Sequence, residues 1–97
     1  MNVRFTPRAL AEAKRKKMWW QEHRRTSPGL FDEEVAAAIE QIRGMPSIGT
    51  IYPAAFEIPV RRLLLPKTQN HLYYTVREDE FVVLSVWGAP RARGPKL

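Results

Sequence analysis

A chain of 97 residues has room for one domain and one modest core. Hydrophobic residues at 44% and aromatics at 10% place it among globular proteins, and the absence of cysteine removes disulfides, thiolate metal sites and thiol nucleophiles together. The net charge of +6 is concentrated: residues 1–31 carry eight Lys/Arg against two Glu, whereas residues 32–97 carry eight of each sign, a polarity that suits nucleic acid or an acidic protein segment.

The longest uncharged apolar run, from Phe81 to Pro90, is too short to span a bilayer, and Met1-Asn2-Val3-Arg4-Phe5 lacks the apolar stretch of a signal peptide. A cytoplasmic protein without membrane contact is expected.

Asn2 to Phe5 alternates and reads as a short strand. Thr6-Pro7 then starts a helix, with a hydroxyl at the N-cap and proline where a missing N–H costs nothing. This helix is predicted to run to about Arg25. Leu10, Ala13 and Trp20 would share its buried face, with the stem of Lys17 between them and Ala9 and Trp19 at the border. Arg8, Glu12, Arg15, Glu22 and Arg25 would be left mainly for water.

Ser27-Pro28-Gly29 breaks the chain and is expected to cap a second helix. Phe31, Val35, Ala38, Ile39 and Ile42 follow at the spacing of one helical face. Asp32, Glu33 and Glu34 suit the dipole of its first turn, Arg43 suits its last, and Gly44 with Pro46 is expected to end it. Two helices so closely joined predict an antiparallel hairpin.

Met45 to Pro59 reads as a loop. Val60 to Leu65, His71 to Arg77 and Phe81 to Trp87 read as strands joined by hairpin-length connections. Residues 89–97 form a basic, Pro/Gly-rich tail. The order is β-α-α-β-β-β: a single α+β domain over residues 1–97, with a helical hairpin on one face of a mostly antiparallel sheet of three to four strands.

Several side chains stand out chemically. Arg61 and Arg62 are adjacent on a strand and must point to opposite faces, so at most one faces the helices. A solvated arginine plus one paired with a helix carboxylate is the bland expectation. His71, Tyr73 and Thr75 share a strand face opposite Leu72, Tyr74 and Val76. His71 there is either a surface histidine or a general base. His23 sits where it would help cap the first helix. Neither histidine has a second ligand at metal spacing, so no metal and no cofactor is expected. Lys14-Arg15-Lys16-Lys17 cannot lie on one side of a helix, but with Arg8, Arg24 and Arg25 it makes the first helix an electrostatic platform. Trp19 and Trp87 read as rim aromatics, able to pack internally or to anchor a partner.

Taken in order, Phe5-Thr6-Pro7-Arg8-Ala9 into the Trp19-Trp20 helix, the helix Phe31 to Ile42, Gly44-Met45-Pro46-Ser47-Ile48-Gly49, Val60-Arg61-Arg62-Leu63, His71-Leu72-Tyr73-Tyr74-Thr75-Val76, and Val86-Trp87-Gly88 leading to Arg91 and Arg93 resemble the RelE/ParE toxin superfamily. The resemblance covers nearly the whole chain. It implies the toxin of a type II toxin–antitoxin pair, neutralised by an antitoxin. RelE-like members are ribosome-dependent mRNA endonucleases, and ParE-like members poison DNA gyrase without chemistry of their own. Two departures favour the ParE-like branch. His71 stands where RelE-like nucleases place an arginine, and the Pro/Gly-rich tail leaves no C-terminal helix to carry a catalytic tyrosine.

The resemblance therefore implies a binding protein rather than an enzyme, with Arg91, Arg93 and Trp87 toward gyrase. Were it a nuclease, His71, Arg61, Arg62 and Arg91 would be the cast. Trp19, Lys16, Arg24, Ile51, Arg62 and Tyr73 are the candidates for an antitoxin with an acidic, amphipathic C-terminal segment, bound in a groove beside the helical hairpin or along the sheet. A toxicity-free, antitoxin-bound member is the third expectation.

Overall fold

The computed structural model describes residues 1–90 and 93–97. Its elements are β1 (Asn2–Phe5), α1 (Pro7–His23), α2 (Leu30–Gly44), β2 (Thr50–Tyr52), β3 (Val60–Leu65), β4 (Asn70–Arg77) and β5 (Glu80–Gly88). The strands form one sheet in the order β1-β5-β4-β3-β2, with β1 parallel to β5 and every other pair antiparallel. The α+β class and the helical hairpin on one face stand as expected. The sheet has five strands rather than three or four, because Thr50–Tyr52, inside the expected loop, pairs with Val60–Arg62.

Both helices pack their apolar residues against one sheet face. Ala9 from α1 and Phe31, Ala38 and Ile42 from α2 meet Leu65, Leu72, Tyr74, Phe81, Val83 and Val86, with Val35 and Ile39 partly buried beside them. Burying residues of this size stabilises the fold by about 1.5–3 kcal/mol each for the larger aliphatic and aromatic side chains. The α2 face is the one the spacing predicts. Among the described residues no helix is long and apolar enough to cross a membrane.

Thr6 caps α1 as predicted: its hydroxyl accepts from the Ala9 N–H at 3.1 Å, with proline next in the chain. Ala13 and Trp20 of α1 face the core as expected, with Ala9 from the border of that stripe, but the buried face is shifted at two positions. Leu10 is exposed and Glu12 is buried. The cause is a β-bulge. Tyr73 pairs with Ser85 and Tyr74 with Val83, so Leu84 is the extra residue. Around it, the Leu84 carbonyl accepts from the Thr6 hydroxyl at 3.3 Å. One Glu12 carboxylate oxygen accepts from Ser85 Oγ at 2.7 Å and from the Val86 N–H at 3.1 Å. The other oxygen pairs with Arg8 Nε at 3.3 Å. A carboxylate that satisfies three donors belongs inside, and α1 turns to put it there.

Two expected helix boundaries also change. Gly29, not Ser27, occupies the N-cap of α2 and no side chain caps it, while Pro28 lies in the preceding turn. Gly44 is the last helical residue rather than a left-handed cap, since the Met45 N–H continues the helical pattern by bonding to the Gln41 carbonyl.

The opposite sheet face carries a second cluster: Val60, Tyr73, Val82 and Leu84, with Tyr52, Trp87 and Leu97 packed against it. The end of the tail lies here. Pro95 is buried, the Trp87 indole N–H donates to the Arg93 carbonyl at 2.9 Å, and Arg8 donates to the Lys96 carbonyl. Gly94 passes so close to the Tyr52 hydroxyl that a β-carbon would collide with it. Residues 93–97 thus cover the apolar centre of this face, instead of fraying into solvent.

Candidate functional site

Three groups of side chains carry chemistry. The first is a lock on the segment after α2. Tyr74 Oη donates to the Pro46 carbonyl at 2.8 Å and accepts from the Gly49 N–H at 2.9 Å. Arg61 Nη1 donates to the carbonyls of Gly49 at 2.7 Å and Ser47 at 3.1 Å. Burial raises the Tyr74 hydroxyl above its ordinary pKa, opposed by the Gly49 hydrogen bond and by the Arg61 charge, so it stays a neutral donor and acceptor. Gly49 has no room for a side chain: a β-carbon would lie 2.8 Å from Tyr74 Oη and 2.9 Å from the Arg62 carbonyl. Arg61 therefore faces the helix side, but it holds backbone carbonyls rather than the helix carboxylate of the bland expectation.

The second group lies on the tail-bearing face. Arg62 sits over the Tyr52 ring, 5.5 Å from its centroid, and Tyr52 meets Tyr73 edge-on at 4.7 Å. His71 meets Tyr73 edge-on at 6.0 Å and pairs across the sheet with Leu64 and Trp87. Partial burial, and then the nearby Arg62 charge, hold the His71 imidazole below its ordinary pKa of 6.5. Tyr73 is itself fully buried and offers no surface.

That depressed pKa fixes the sign of a pH effect. As pH falls below the ordinary value, the unfolded chain binds a proton that the folded chain resists, so stability present at neutral pH is lost in acid. Between about pH 7 and about pH 5 the urea midpoint is expected to fall less for His71→Gln than for the parent chain. Parallel curves would remove His71 from this role.

The third group is a cavity of about 550 Å³ between α1, the β3–β4 turn and the end of β5. Trp19 and Lys16 from α1 and Arg24 at its C-terminal cap line it together with Trp87 from β5. Trp19 stacks on His23 at 4.7 Å, and His23 Nδ1 lies 2.9 Å from the Trp19 carbonyl, the helix-capping role expected of it. The β3–β4 turn is clamped from α2: Glu34 accepts from the Lys67 N–H at 2.6 Å, the Thr68 N–H at 2.9 Å and the Thr68 hydroxyl at 2.6 Å. Sequence reasoning assigned Glu34 only to the helix dipole, since its partners lie a whole element away.

The structure thus brings Trp19, Lys16, Arg24 and Trp87 to one cavity, and His71, Arg62 and Tyr73 to the other sheet face. Ile51 is exposed on the β2 edge, apart from both, and Arg61 is on the helix side. Arg93 is exposed in its side chain while its carbonyl is held by Trp87. Arg91 lies outside the described residues. Among the described residues no group of three or more His, Asp or Glu side chains is arranged to hold a metal ion.

A helical hairpin on one face of a five-stranded sheet, in the order β-α-α-β-β-β-β, defines the class of fold. Solved structures that share it include a chain of the chromosomal ParDE TA system from P. aeruginosa. That chain is 19% identical, with a TM-score of 0.61 over 91% of this chain and 95% of the other. The YoeB dimer from Staphylococcus aureus is 15% identical, with a TM-score of 0.59 over 90% and 94%. No protein-family model and no curated protein matches the sequence.

Proposed function

We propose that this chain is the toxin of a type II toxin–antitoxin pair, acting in the cytoplasm by binding rather than by catalysis, with DNA gyrase as its target. The observation that carries the toxin reading is the fold shared over 91% of this chain with a chain of the ParDE TA system. A binding mode is supported by the fate of the nuclease cast. Arg61 is engaged with the Ser47 and Gly49 carbonyls, His71 has Arg62 beside it but no carboxylate in hydrogen-bond contact among the described residues, and Arg91 lies outside the described residues. Metal-free RNA cleavage needs a base, a cation and an acid around one phosphate, and among the described residues His71 and Arg62 share a face while Arg61 is held on the other.

Arg93, Trp87 and Arg91 remain the proposed contacts with the target. An antitoxin with an acidic, amphipathic segment is the expected partner, because the excess positive charge lies on and around α1. The second reading is an mRNA endonuclease built on His71 and Arg62, which lie together on the tail-bearing sheet face. Inducing the chain in a bacterial host should arrest growth and switch on the DNA-damage response, both relieved by co-expressing the adjacent reading frame. Arrest without that response, lost in His71→Ala, would favour the endonuclease. Unimpeded growth would point to a family member without toxicity.

A further inference from the structure

The two faces of the sheet are covered in different ways. Two helices pack on one, whereas residues 93–97, neither helix nor strand, lie on the other. This strap is held by side chains. Its Arg93 carbonyl accepts from the Trp87 indole at 2.9 Å, its Lys96 carbonyl accepts from Arg8, and Leu97 packs against the second cluster. Among the described residues no backbone hydrogen bond joins it to a strand. It can therefore lift without breaking a rung of the sheet, and its irregular backbone regains conformational freedom when it does.

The surface it packs on differs from the helix-side core. That core is mostly aliphatic. Around the strap stand Tyr52, Tyr73 and Trp87, with Arg62 lying 5.5 Å from the Tyr52 centroid and Arg8 5.7 Å from that of Trp87. Tyr73 is 1% exposed although it faces away from the helices. Tryptophan, tyrosine and arginine carry most of the energy of protein–protein binding, and arginine is rare in a core. Trp87 and Arg93, the proposed contacts with the target, are tied to each other in this arrangement.

We propose that residues 93–97 are an autoinhibitory strap over a protein-binding surface. Closed, the strap packs Leu97 on the Tyr73 cluster and binds Arg93 to the Trp87 indole. Open, it bares the two tyrosines and presents Arg93 on a released chain end, so that the target meets Tyr52, Tyr73, Trp87 and Arg93 together. The inference rests on the gyrase reading above, to which it adds a closed state that binds weakly and a minor open state that binds well.

Gly94→Val tests it while keeping every charge and both proposed contacts. The strap cannot settle in this variant, because a β-carbon at Gly94 would collide with the Tyr52 hydroxyl. Leu97→Asp opens the strap from its other end and serves if Gly94→Val folds poorly. Amide exchange of the C-terminal peptide, followed by mass, reads the opening. Both variants should exchange there about tenfold faster than the parent and should block gyrase supercoiling at about a tenfold lower concentration. Ile39→Ala, which loosens the helix-side core instead, should leave potency unchanged. Fast exchange with no gain in potency would overturn the inference and leave the gyrase reading standing. Equal exchange in the parent and both variants would show that no closed strap exists, and overturns it too. Inhibition by none of these proteins removes the gyrase reading, and the inference with it.

Discussion

Glu12→Ala is expected to be the most damaging single substitution on α1, lowering stability by about 3 kcal/mol, roughly 12 °C or more in Tm for a chain of this size. The residue is exposed and ordinary by sequence, but in the fold its side chain is 7% accessible and serves Ser85 Oγ, the Val86 N–H and Arg8. Removing it orphans a buried hydroxyl and a buried amide, each worth about 1–3 kcal/mol when left unsatisfied. It also leaves a void at the floor of the tryptophan cavity. Glu12→Gln keeps the shape but replaces one acceptor oxygen with a donor, so it should recover about half of the loss. Urea denaturation of the three proteins measures this directly. A Glu12→Ala midpoint within error of the parent would mean that Glu12 does not hold α1 to the bulge.

Deleting residues 93–97 should cost about 2–3 kcal/mol and create binding of a hydrophobic dye. Leu97 packs against Val60, Tyr73, Val82 and Leu84, Pro95 is buried close to it in the chain, and truncation bares that cluster to water. Gly94→Val should reproduce much of the effect without shortening the chain, since its side chain would collide with Tyr52. Arg93→Glu separates structure from function. Only the Arg93 carbonyl is used by Trp87, so stability should hold while inhibition of the target falls about tenfold. If the truncated chain keeps its Tm and binds no dye, the tail is not part of the second core.

Much of this architecture could be read from the sequence because it depends on local chemistry. Thr6-Pro7 specifies a helix start whatever surrounds it, and the Phe31 to Ile42 spacing fixes one face of α2. The readings that failed depend on distant partners. Glu12 looks solvent-facing until the bulge at Leu84 presents the Ser85 hydroxyl and the Val86 N–H to it. Thr50–Tyr52 is too short to alternate and becomes a strand only by pairing with β3. A Gly/Pro-rich basic tail gives no apolar signal, yet Gly94 is what lets it pass Tyr52.

The site divides along the same line. Lys16 and Trp19 share α1 and Arg24 caps its C-terminal end, so their proximity is visible from the sequence. That Trp87 joins them follows only from α1 packing on β5. His71 and Arg62 share a face because β3 and β4 pair with Arg62 opposite Tyr73 and Leu64 opposite His71, a register the turn sets and composition does not.

The most direct measurement of the central claim uses the purified chain with gyrase and relaxed plasmid, beside a translating extract with reporter mRNA. A toxin that works by binding should block supercoiling at low micromolar concentration and leave the mRNA whole, with added antitoxin restoring the enzyme. Undisturbed supercoiling beside ribosome-dependent cuts in the message would contradict that account and assign the chemistry to His71 and Arg62.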